Sequence, residues 1–265
     1  MTMLQKRIIP CLLLKDRLLV KTIQFSNPKH IGEPIYAIKI FNDYEVDEIM
    51  IVDIMASRCS PGNSQKNKIP FDLISKISDE SCMPITYGGG IQSLEDLKLL
   101  FKAGVEKACI NTHAIENPSF VREAACNFGN QSIVVALDVK QGHDGSYRIF
   151  THGGTVPIQQ DPVSCAVQME KLGAGEILLN SIDRDGTMQG YDISLIKAVA
   201  SAVNIPVIAL GGASSKDDFF KALHEGCASA VAAGSMFVYF GRKKAVLINY
   251  LDKNELQYCL KNKSS

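Results

Sequence analysis

An excess of either charge is missing from this chain: Lys plus Arg and Asp plus Glu number 28 each in 265 residues. No stretch gathers basic residues among aromatics, so the electrostatic footprint of a nucleic-acid binder is absent. No apolar run approaches the length that spans a bilayer, and Met1–Pro10 carries a basic pair without an apolar core or a small-residue cleavage site. These absences predict a soluble, cytoplasmic protein with neither a nucleic-acid nor a membrane partner. Cysteine is plentiful at eight residues, yet CxxC spacing is absent, which argues against zinc or dithiol chemistry and reads the thiols as free in a reducing compartment. Neither HxH nor HExxH accompanies His113 and His152, so no metal and no cofactor is expected.

What the chain does contain is alternation. Short aliphatic runs near Arg7–Leu13, Glu48–Asp53, Met83–Tyr87, Lys107–Asn111, Ser132–Asp138, Glu176–Ser181, Pro206–Leu210 and Ala228–Ala233 read as strands. Helical periodicity follows each, near Pro34–Tyr44, Phe71–Asp79, Leu94–Ala103, Pro118–Phe128, Pro162–Leu172, Ile193–Ala202, Lys216–Glu225 and toward the C-terminus. Eight strand–helix units predict an α/β fold, a (β/α)8 barrel occupying residues 1–265 as one domain. A hydrophobic fraction of 46% supplies the core.

The chain also repeats itself. Pro84, Gly89, Gly90, Ser93, Asp96 and Gly104 recur as Pro206, Gly211, Gly212, Ser215, Asp218 and Gly226 at a constant offset, which marks two half-barrels. Cys11-Leu12-Leu13-Leu14-Lys15 likewise aligns with Ala136-Leu137-Asp138-Val139-Lys140. One half offers a carboxylate where the other offers a hydrocarbon.

In such barrels chemistry sits at the C-terminal strand ends, the mouth. There the turns at Gly88–Gly90 and Gly211–Gly212, with Asn111-Thr112, Asp185-Gly186 and Gly234-Ser235, let backbone N–H groups approach an anion. Gly90, Asn111, Thr112, Asp185, Gly186, Gly212, Gly234 and Ser235 are therefore candidate phosphate-binding positions, and their placement in both halves suits a small molecule phosphorylated at each end. Tight strand–helix packing is the competing account of the glycines. Asp138 is the candidate catalytic acid or base, because an acid closing an apolar strand is costly without a task. For Asp53, which ends its strand in the same way, orienting a loop or lysine is as plausible as a functional task. Lys21, in the long first loop, either closes over an anionic ligand or is a solvated surface lysine. At the opposite, N-terminal ends, Arg7, Glu48, Lys107 and Glu176 put two cations and two anions across the barrel floor, where they either meet solvent or form a charged gate.

Arg7–Leu12, Tyr87–Ile91, Ile110–Thr112, Gly175–Leu179 and Asp183–Thr187 resemble the cyclase subunit of imidazole glycerol phosphate synthase almost end to end. The resemblance implies a glutaminase subunit docked on the floor, forming a heterodimer. Ammonia would pass the gate Arg7, Glu48, Lys107 and Glu176 to a bis-phosphorylated ribulosyl substrate at the mouth. It also implies two catalytic aspartates, which fall on Leu13 and Asp138, so the pair is broken and cyclase activity is expected to be impaired. Leu210, Tyr87 and Asn180 depart from the family at the same end, where a serine, a small aliphatic residue and a threonine are usual. This combination resembles a paralogous group that accompanies a sugar amidotransferase in surface-polysaccharide synthesis. The expectation is an ammonia conduit, with the amidotransferase at the mouth. A working cyclase of histidine biosynthesis is the alternative, ahead of a barrel isomerase or a pure scaffold.

Overall fold

The computed structural model describes residues 6–56, 69–241 and 243–261; Cys59 lies outside them. In chain order the strands of the main sheet are β1 (Arg7–Lys15), β2 (Leu18–Ile23), β3 (Ser26–Gly32), β4 (Ile49–Asp53), β5 (Ile85–Gly88) and β6 (Lys107–Ile110). There follow β7 (Ile133–Gln141), β8 (Tyr147–Thr151), β9 (Val156–Ile158), β10 (Glu176–Ser181), β11 (Val207–Leu210) and β12 (Ala230–Ala233). The helices are α1 (Pro34–Asp43), α2 (Phe71–Glu80), α3 (Leu94–Lys102), α4 (Thr112–Glu116) and α5 (Ser119–Phe128). α6 (Pro162–Leu172), α7 (Ile193–Ala200), α8 (Lys216–His224), α9 (Ser235–Val238) and α10 (Lys253–Leu260) complete the set.

Parallel pairing runs β1–β4–β5–β6–β7–β10–β11–β12 and returns to β1, so the sheet closes into the expected (β/α)8 barrel. The strands are apolar on both faces because both are covered. Ile8, Leu12 and Leu14 of β1 pack outward against the helices. Ile9 and Cys11 pack inward with Met50, Cys109, Val134, Ala136, Leu178, Ile208, Ala230 and Ala232 to fill the barrel. Side-chain parity thus decides what each end of the barrel presents.

The half-barrel repeat is visible in local chemistry. Ser93 and Asp96 form a reciprocal capping box at the start of α3, and Ser215 and Asp218 form the same box at the start of α8. The repeat also reaches a feature outside the eight expected units. β1 continues past the barrel rim into an antiparallel hairpin with β2 and β3, and β7 does so with β8 and β9. The first loop is therefore a structured hairpin rather than irregular chain. Two further single-turn helices, α4 and α9, begin at the Asn111-Thr112 and Gly234-Ser235 turns.

Candidate active site

The barrel floor is built from the first inward residue of four strands or their approaches. Arg7 pairs with Glu48 and donates from Nη2 to Glu176 Oε1 at 2.8 Å. Lys107 Nζ lies 3.0 Å from Glu48 Oε2 and 3.2 Å from Glu176 Oε1. Each cation touches both anions, which closes a ring of alternating sign. The Thr86 hydroxyl donates to the remaining Glu48 oxygen at 2.7 Å, and the Glu48 side chain is only 3% exposed. Burial disfavours the charge on Arg7, yet Glu176 and Glu48 together hold its pKa above the ordinary value. Such charges are tolerated out of water because every one is paired and hydrogen-bonded.

Above the ring lies the neutral interior. Burial raises the thiol of Cys11 to about 11 and that of Cys109 further, so both remain uncharged at neutral pH. A cavity of about 300 Å³ opens at the mouth, and its lower wall reaches Cys11, Cys109, Ala136 and Leu178 of this same apolar layer. Its rim holds Leu13, Val52, Asp138, Asn180 and Leu210.

All eight candidate phosphate positions line this cavity. Gly90 and Gly212 both have positive φ, at 75° and 105°, and a Cβ at Gly212 would overlap the Gly190 carbonyl. Close packing therefore suffices to require Gly212. Asn111 precedes α4 and Gly234 precedes α9. Asn111 donates to the Ala136 carbonyl at 2.9 Å, while the Thr112 hydroxyl donates to Asn111 Oδ1 and accepts the His152 N–H. The Asp185 carboxylate faces the first hairpin, accepting from the Thr22 hydroxyl at 3.0 Å and from the Phe25 N–H. Burial raises its pKa against the opposing effects of Lys21 and these two bonds.

Lys21 is not a solvated surface lysine. It sits on β2, 6% exposed, and Nζ donates to the Cys11 carbonyl at 2.9 Å. A Cβ at Gly234 would overlap Nζ, so the glycine leaves room for the amine. Desolvation lowers its pKa, with Cys11 and Asp185 opposing. Asp53 accepts the Met55 N–H at 2.9 Å and so organises the loop leaving β4; burial raises its pKa. Asp138 accepts from Asn180 Nδ2 at 3.0 Å.

The family model for the histidine biosynthesis protein matches residues 7–244. A Pseudomonas aeruginosa protein provisionally named imidazole glycerol phosphate synthase subunit hisF2 is 48% identical over 254 residues, spanning 96% of this chain and 99% of its own. The chain belongs to the HisF family. Imidazole glycerol phosphate synthase subunit HisF of Alkaliphilus metalliredigens is 44% identical over 237 residues, 89% of this chain and 92% of that one. A Vibrio vulnificus protein provisionally named as subunit hisF3 is 41% identical over 259 residues, 97% of each chain.

In this HisF-family barrel the four floor residues meet, as their strand-start positions suggested, and Leu13 and Asp138 share the mouth cavity. Sequence reasoning did not assign Thr86 or Thr22 to the site and noted Asn180 only as a departure at the mouth; Tyr87, read as a mouth position too, instead faces outward from β5, fully buried against the helix layer. Thr86 and Asn180 carried a usable signal, since both lie on inward parity with residues already singled out on neighbouring strands. Thr22 carried none, because its contact with Asp185 depends on the hairpin.

Proposed function

We propose that this chain is an ammonia conduit: a HisH-type glutaminase docks on the floor, ammonia passes the four-charge ring and the neutral interior, and it emerges at the mouth for an acceptor enzyme. A sugar amidotransferase of surface-polysaccharide synthesis is the acceptor this reading favours. The observation that carries it is the contrast between a fully paired ring around Arg7, Glu48, Lys107 and Glu176 and a mouth where Leu13 lines the cavity with Asp138, at the position where the family resemblance implies a second acid. A ring of zero net charge over an apolar layer suits neutral ammonia, because the ring's carboxylates are already answered by Arg7 and Lys107, whereas an unpaired buried carboxylate would favour ammonium and hold it as an ion pair. Asp138 alone supplies one side of a proton transfer, and loss of one general acid or base typically removes about 10²–10⁴ in rate.

One feature supports the cyclase of histidine biosynthesis as second reading: Lys21, Asp138 and both sets of phosphate turns share one cavity. Under that reading Asp138 and Lys21 are the catalytic groups and the turns hold the phosphorylated substrate. Supplying the ribulosyl substrate with ammonium salt separates the two. Absence of imidazole product, together with loss of glutamine-dependent amidation in Lys107→Ala but retention with added ammonium, is the result expected of a conduit. Rapid imidazole formation by the native chain overturns it.

A further inference from the structure

The inward positions of β10 read Glu176, Leu178 and Asn180 from floor to mouth. Asn180 is 6% exposed and pairs in register with Asp138 on one side and Leu210 on the other. Its Nδ2 donates to Asp138 Oδ1, which settles the orientation of the amide, since a carboxylate accepts and cannot pair with the carbonyl end. Oδ1 is then left buried with no donor, one of two such side-chain atoms among the described residues. Leu210 has no donor to give it. Glycine at position 211 matters here, because a Cβ there would stand 3.1 Å from Oδ1 and crowd it. A buried acceptor without a partner is costly, and it sits in the cavity wall directly above Leu178 and Ala136 of the apolar layer.

We propose that Asn180 is the residue that receives ammonia at the top of the passage, its Oδ1 accepting one N–H while Nδ2 stays on Asp138. The proposal rests on the conduit reading and names the residue at which transit ends. The chemistry favours an amide at this point. Ammonia leaving an apolar layer needs an acceptor for its N–H bonds, whereas its lone pair must stay free to attack an acceptor molecule. An amide oxygen binds the N–H without offering a proton or a charge; a carboxylate in its place would hold ammonium instead. Threonine, the residue the family resemblance leads one to expect, offers a hydroxyl that also donates and so can occupy the lone pair.

The test uses the full chain labelled with ¹⁵N-asparagine and ¹³C-aspartate and titrated with ammonium chloride at mildly alkaline pH, with potassium chloride at equal ionic strength as control. The Asn180 side-chain NH₂ signal, identified by its loss in Asn180→Leu, should shift saturably with ammonium chloride and stay still with potassium. In Asn180→Leu the response of the Asp138 carboxyl carbon should weaken about tenfold in midpoint, the size of one lost hydrogen bond. An unshifted Asn180 signal in the native chain overturns the proposal without any variant, as does an unchanged Asp138 midpoint in a folded Asn180→Leu. Added ammonium enters through the open mouth and needs no floor. A Lys107→Ala chain that titrates normally while failing to pass glutamine-derived ammonia therefore supports the assignment of Asn180. Intact passage with a silent Asn180 removes that assignment and leaves the conduit standing.

Discussion

The floor and the mouth of this barrel hold the same kinds of residue under opposite conditions. At the floor two acids and two bases neutralise one another in a closed ring, and Thr86 satisfies a further oxygen of Glu48. At the mouth charged groups stand apart: Lys21 lies on a backbone carbonyl, Asp185 on a hairpin, and Asp138 on an amide. A charge hydrogen-bonded to an opposite charge favours a fixed structure, whereas burial displaces the pKa values of Lys21 and Asp185, whose hydrogen bonds go to neutral groups. The difference teaches where change is tolerated. A leucine at position 13 leaves Lys21 its hydrogen bond to the Cys11 carbonyl, but a leucine at position 48 would leave Arg7 and Lys107 sharing Glu176 alone.

The largest effect is expected from breaking the floor. Glu48→Ala leaves Arg7 and Lys107 facing only Glu176, and should cost about 3–5 kcal/mol of folding stability in a denaturant titration. A loss under about 1 kcal/mol would show that the ring is solvated and that floor and mouth do not differ as described. At the mouth, Leu13→Asp should raise imidazole formation from ammonium salt and the ribulosyl substrate about 10²-fold, because it restores the second acid. No gain in a folded variant would place the deficiency elsewhere in the cavity, with Leu210 and Asn180 the next positions to revert.

Smaller effects separate packing from ligand binding. Gly212→Ala should destabilise by roughly 1–3 kcal/mol even without ligand, since the residue has φ of 105° and its Cβ would meet the Gly190 carbonyl. Unchanged stability with weakened phosphate binding would assign this glycine to the ligand alone. Finally, Lys21 has a pKa below its ordinary 10.5 in the folded chain. Between that lowered value and 10.5 the unfolded chain binds more protons than the native one, so stability rises with pH across this window and is lost as pH falls through it. Lys21→Met should flatten this alkaline limb in stability measured against pH; an unaltered slope would mean that the amine keeps its charge on the Cys11 carbonyl.

Much of this contrast was legible in the residues themselves. All eight barrel strands follow from aliphatic runs, and the ring follows from charges just before them, because period-two alternation fixes which way each side chain turns. The hairpins were not legible. Ser26–Gly32 is largely exposed, contains Pro28 and lacks alternation, so its strand character comes from pairing with β2 rather than from its own composition. Lys21 was misplaced into a loop for the same reason, and its burial depends on a contact with Cys11 that no spacing reveals. Asn180 was noticed as a departure, but its orphaned oxygen emerges only when Asp138 and Leu210 are seated beside it.

One strand joins the two ends. Arg7 and Leu13 lie six residues apart on β1, a span of about 20 Å along the chain. Because six is even, the same ruler sets both the guanidinium below and the methyl groups above toward the axis. A single-codon deletion between them would rotate one end by half a turn relative to the other: either the lock at the base loses its arginine, or the opening trades its leucine for whatever had faced the helices. Length in this segment is therefore a tighter constraint than hydrophobicity, and substitutions within it should be accepted far more readily than any change in count.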